Sequence, residues 1–182
     1  MRNQRAITMK EVRILGVDPG IGGGWAVLNY LGGLEYAGTF PVIVTTTGRK
    51  THRDIDGAQL QSELMLAEPT HAFIEQVHSR PRQAGQFQFG VNTGVVLGVV
   101  QGQHIPVRRV TPQSWKAAYN IKRQEEETKA DKKTEARMVA SKIYPHHADL
   151  FKRMKDDGVA EAVLIALYGL SVITGANNAY NA

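Results

Sequence analysis

Ile14-Leu15-Gly16-Val17-Asp18-Pro19-Gly20 decides how this chain is read: an apolar run that stops at a carboxylate, followed at once by a Pro-Gly turn. Four apolar or small residues bounded by turn formers read as a buried strand, and the acid falls at its end. The same arrangement recurs twice. Ala72-Phe73-Ile74 ends at Glu75, and Asp157 and Glu161 stand one helical turn apart where the apolar stretch Val159 to Ile173 begins. Carboxylates at element ends reach solvent while the backbone under them is rigid. A divalent-metal site for phosphodiester cleavage needs that combination.

Working outward, Val12 to Val17, Trp25 to Tyr30 and Glu35 to Val44 read as three strands separated by Gly-rich turns, an antiparallel meander. Asp56 to Leu66 has helical spacing, Ala72 to Val77 is a short central strand, and Gln86 to Val100 a second helix. Val107 to Val110 reads as a strand, Gln113 to Tyr119 and Thr128 to Ile143 as helices, and a last helix starts near Asp157. The expected fold class is α/β: a mixed five-stranded sheet with helices on both faces. Its 182 residues suit one domain, 12–175, flanked by flexible ends at 1–11 and 176–182.

Composition removes several classes. With no cysteine there is no disulfide framework, zinc-thiolate site or catalytic thiol. No signal-peptide pattern opens the chain, Val159 to Ile173 falls short of a membrane span, and a reducing cytoplasm is the simplest compartment. Between Arg108 and Lys155 there are 13 Lys/Arg against 6 Asp/Glu, a local +7 in a chain whose total is +5. The positive charge is thus gathered in one region, as contact with a phosphate backbone requires. A solvated helical face explains such a stretch equally well when it stands alone; the carboxylates tilt the balance.

These residues resemble a known family. Ile14 to Gly20, Phe73-Ile74-Glu75-Gln76-Val77 and Asp157-Gly158-Val159-Ala160-Glu161-Ala162 are similar, in order and spacing, to the three acidic motifs of RuvC-type Holliday-junction resolvases, over roughly Val12 to Ile173. The resemblance implies a ribonuclease H-like fold, a homodimer, and magnesium-dependent paired nicking of four-way DNA, in a phage-like branch. It implies Asp18 as the bridging ligand of two Mg2+ ions, Glu75 on one and Asp157 with Glu161 on the other, with Mn2+ as a substitute. Lys116, Lys132 and Lys133 resemble the family's DNA-contacting positions, and His78 stands where an aromatic residue stacks on an unpaired base. His78-Ser79-Arg80-Pro81-Arg82 follows the Glu75 strand, which puts His78, Arg80 and Arg82 at the mouth of the site.

The third motif departs from the pattern. The family places a carboxylate or His three residues before its last acid, and here that position is Gly158. On a helix Asp157 lies about 40° around the axis from Glu161 and Asp156 about 140°, so Asp157 is preferred as ligand and Asp156 as helix cap, the two roles being exchangeable if the helix starts later. A basic Thr-rich loop with Arg49, Lys50 and Arg53 is a weaker DNA-contact candidate, and His146-His147 read as loop residues. Gly90, Gly94, Gly98 and Gly102 make one bare helical face, read either as the dimer interface or as close packing inside the monomer. Nucleases of flaps or other branched DNA, a junction-binding protein without catalysis, and an actin-like nucleotide-binding protein using the Gly-rich turn after Asp18 are the alternatives.

Overall fold

The computed structural model describes residues 8–77, 85–121 and 129–176, with backbone alone at 50 and 129–134. Its main sheet has the order β3-β2-β1-β6-β7. β1 (Arg13–Asp18), β2 (Gly24–Asn29) and β3 (Leu34–Thr39) form the antiparallel meander, and β6 (His71–Glu75) and β7 (Val107–Val110) continue it in parallel with β1. The expected α/β architecture is present. β1 alternates its side chains between two cores: Ile14 packs with the helices α3 (Pro112–Ala117), α4 (Lys129–Ile143) and α5 (Asp157–Thr174), while Leu15 and Val17 pack with α1 (Gly57–Ala67) and α2 (Gln86–Gly102).

The third expected strand, Glu35 to Val44, is two. Phe40 turns into the second core and Pro41, which has no N–H for a ladder, ends the pairing with β2. The chain then leaves the sheet as a separate hairpin, β4 (Val42–Thr47) and β5 (Lys50–Ile55), in the place expected to be a basic loop. Thr45, Thr46, Thr47 and Thr51 suit extended backbone, and Gly48 takes φ 63° at the two-residue turn. Asp56 then caps α1, accepting from the N–H groups of Ala58 and Gln59. His146 and His147 also belong to an ordered element, the 3-10 segment Pro145–Phe151. At the N-terminus Thr8 and Glu11 cap a 3-10 turn, Met9–Glu11; the rest of the expected flexible ends, 1–7 and 177–182, lies outside the described residues.

α5 is the central helix. With the turn before it, Met154–Thr174 is apolar and long enough to cross a bilayer, but two thirds of its most apolar window is buried in this domain, where Val163, Leu164 and Ile165 have no exposure. It lies so close to β1 that a Cβ on Gly16 would stand 2.1 Å from the Ala162 carbonyl oxygen and 2.3 Å from the Ala166 nitrogen. The glycine face of α2 is the opposite case. Gly90, Gly94, Gly98 and Gly102 are exposed, and a Cβ on any of them would meet nothing within 4 Å. Close packing within the monomer is therefore overturned as their explanation.

Gly16→Ala should cost about 1–3 kcal/mol, because backbone rather than a flexible side chain opposes the added methyl. Gly94→Ala should be neutral or stabilising in the monomer, since alanine is the better helix former. Urea unfolding of the two variants checks both.

Candidate active site

β1 and β6 run parallel with Val17 opposite Ile74, so Asp18 and Glu75 leave the sheet at the same edge. The third acidic element reaches that edge through backbone contact. Gly23, beside the Asp18 turn, bridges to Gly158, and Glu161 follows one helical turn after Asp157. Next to β6, Gln76 donates its N–H to the Val110 carbonyl, which brings the end of β7 level with Glu75. Thr111 caps α3 there, accepting from the Ser114 N–H with Pro112 in the first turn, and α3 carries Trp115 and Lys116 into the site.

A compact polar cluster results. The fully buried Trp115 donates its indole N–H to Glu75 Oε1 at 2.9 Å. Lys116 Nζ stands 3.3 Å from Glu161 Oε1 and 4.9 Å from the centre of the Trp115 ring. Burial pushes the Glu75 carboxyl above its ordinary value and the Glu161 charge adds to this, while the indole and Lys116 act in the other direction. Two carboxylates whose charges repel in a partly dehydrated place form a donor set for a hard, oxygen-seeking cation. Magnesium fits that chemistry.

The third motif is divided among different partners. Asp157 is buried with Oδ1 2.8 Å from Arg137 Nε of α4, so its carboxylate is engaged by a guanidinium. Asp156 occupies the cap position before α5, but its side chain does not cap that helix as expected. It takes the backbone N–H and guanidinium of Arg153 at 2.9–3.2 Å, closing the preceding 3-10 turn. Those bonds hold its carboxyl below the ordinary range. Gly158 has a steric reason to lack a side chain: a Cβ there would lie 2.4 Å from the Gly23 Cα. Among the described residues no three acidic or imidazole side chains are gathered tightly enough to hold an ion. Glu75 and Glu161 come together, Asp18 shares their edge of the sheet, and Asp157 faces Arg137.

Lys116, expected on the DNA backbone, sits beside the Glu161 carboxylate. Lys132 and Lys133 lie on α4 with side chains outside the described residues, and His78, Arg80 and Arg82 lie outside them altogether. Trp115 and Arg137 were not read as site residues. A cap and proline directly after a strand could have flagged Trp115, because they aim the first turn of a helix at the strand ends; nothing local marks Arg137.

Solved structures share this arrangement of elements. Thermus thermophilus RuvC superposes with a TM-score of 0.51 at 19% identity, over 90% of this chain and 97% of that one. T. thermophilus RuvC in complex with Holliday junction substrate superposes with a TM-score of 0.57, at the same identity, over 90% and 96%. The chain has the ribonuclease H-like α/β fold, in the form seen in RuvC. No protein-family profile and no curated protein matches it.

Two variants test the third motif. Gly158→Asp, which adds a carboxylate three residues before Glu161, should destabilise the fold by displacing α5 from Gly23, with no gain in metal affinity by calorimetry. Asp156→Asn should lower the thermal midpoint at pH 6. Since the folded-state carboxyl titrates below its ordinary 3.8, its contribution is present above that pH and lost as pH falls through the folded value, so the difference from wild type should narrow as the pH is taken below 3.8.

Proposed function

We propose that this protein is a structure-selective endonuclease that resolves four-way DNA junctions by paired, magnesium-dependent phosphodiester hydrolysis. The observation that carries the reading is the meeting of Glu75 and Glu161 at the edge where β1 delivers Asp18, in the fold shared with a RuvC bound to junction DNA. In the proposed site Asp18, Glu75 and Glu161 would hold magnesium, two ions in all, and Asp157 would serve as the fourth carboxylate by turning from Arg137. Manganese should substitute. Once bound, the ions would supply an activated water and charge stabilisation of the leaving 3′-oxygen.

The chain's own residues prepare that chemistry. Trp115 fixes one oxygen of Glu75 by its indole N–H, leaving the other to turn toward a cation. Lys116 balances the negative charge of Glu161 in the free protein. When DNA enters, the same ammonium is placed to attract its phosphate. Arg137 fixes the Asp157 side chain in one orientation. Lys132 and Lys133 supply phosphate contacts on α4, and His78, Arg80 and Arg82 border the entrance.

Two nicks related by symmetry need two such sites, so the working unit is a homodimer. The open glycine face of α2 supports that helix as the subunit interface, because bare backbone allows a second helix to approach closely.

A labelled immobile four-way junction, with and without magnesium, tests the reading: symmetrical paired nicks are expected, whereas equal cutting of flaps would favour a general branched-DNA nuclease. Asp18→Asn and Glu75→Gln should abolish cleavage and leave junction binding intact, and retained nicking in either would count against the site. Asp157→Asn should also cripple nicking. Lys132→Ala with Lys133→Ala should lower the salt dependence of binding by about 0.9 for each phosphate left without its lysine.

A further inference from the structure

The hairpin β4–β5 has no part in the cluster above, yet its root stands beside it. β3 ends at Thr39 opposite Gly24, and Gly24 pairs with Asp18, so the chain departs for the hairpin at the same edge of the sheet that carries the acidic residues. The root is tied to the first turns of α2: Asn92 accepts from the Ile55 N–H at 2.9 Å, and Gln88 donates to Asp54. Between those two residues comes Phe89. A Cβ on Gly20, two residues after Asp18, would lie 2.9 Å from its ring, so this stretch of α2 spans from the hairpin root to the Asp18 turn.

From that root the hairpin projects. Ile55 is buried in the second core, whereas Ile43 to Arg49 and Thr51 to Arg53 are exposed or nearly so. Six paired residues at about 3.3 Å each make an arm of roughly 20 Å. Its charge is one-sided. Arg49 and Lys50 lie at the tip with His52 and Arg53 further down the same strand, and the only acid in 42–55 is Asp54, engaged by Gln88 at the root. Among the described residues neither Arg49 nor Arg53 has an acidic partner. The remaining exposed side chains there are threonines and the apolar Ile43 and Val44, whose hydroxyls and small surfaces oppose no polyanion.

We propose that this hairpin is a nucleic-acid arm, which grips the phosphate backbone of a DNA strand flanking the acidic site. The proposal rests on the nuclease reading above. β3 and β7 are opposite edge strands of the sheet, and the hairpin follows one while α3 with Lys116 follows the other. DNA lying across the carboxylates is thus met by positive charge from both edges, a fit for a branched substrate whose arms diverge from the cut. Contact through arginine and lysine fixes position without reading sequence.

The test is a titration of wild-type protein and of R49A/R53A and R49E/R53E with fluorescent four-way junction and linear duplex at several salt concentrations, with circular dichroism and gel filtration alongside. The expected result is weaker junction binding in the order wild type, double alanine, double glutamate, and a salt slope reduced by up to about 1.8 for the two arginines, without change in fold or elution volume. Wild-type affinity and slope in a folded R49E/R53E overturns the arm and leaves the nuclease reading standing. A wild-type protein that neither binds nor cuts the junction overturns both. Altered elution, with binding falling only in step with it, makes the hairpin a subunit interface, which overturns the proposal as well.

Discussion

The distance between α5 and the sheet governs this molecule. At Gly16, Gly23, Gly24 and Gly158 helix and strand backbones meet with no side chain between them. Dispersion attraction accumulates along the interface, and the N-terminal turns of α5 are brought to the ends of β1 and β6. A β-carbon at Gly16 or Gly158 would lift that end of the helix and carry Glu161 away from Glu75. Packing and site geometry are therefore one constraint, and the apolar run after Glu161 is the means by which the acid is held in place.

The acidic cluster would be unfavourable by itself, and the fold surrounds it with cations and donors drawn from different elements. α3 contributes Trp115 and Lys116, α4 contributes Arg137, and Arg153 takes the one acid of the third motif that closes a turn. The two neighbouring carboxylates Asp156 and Asp157 so acquire different tasks. One belongs to the chain's local geometry; the other, buried on Arg137, is balanced in the middle of the domain.

Strand and helix positions were legible wherever periodicity was local: β1, β2, β6, β7 and the helices α1 to α5 fall close to where apolar spacing and caps put them. The hairpin escaped because Thr45-Thr46-Thr47 and Lys50 to Arg53 carry little apolar alternation, and a turn-rich polar stretch reads as loop unless its partner strand is known. Asp18, Glu75 and Glu161 were legible as strand and helix ends. Arg137 and Trp115 were not, since an ion pair between α4 and α5 and an indole reaching from α3 to β6 are set by tertiary packing that no spacing encodes. The glycines of α2 showed that something unusual happens along one face, while only the folded chain shows that this face looks outward.

The Trp115–Glu75 hydrogen bond has an optical consequence. The chain has two tryptophans, and this indole lies wholly buried with its N–H on a carboxylate that burial and a neighbouring charge hold toward neutrality. Protonation of Glu75, or a cation settling on it, changes the electric field across that ring. The emission of Trp115 should therefore report the charge state of Glu75 without any label, once the contribution of Trp25 is subtracted.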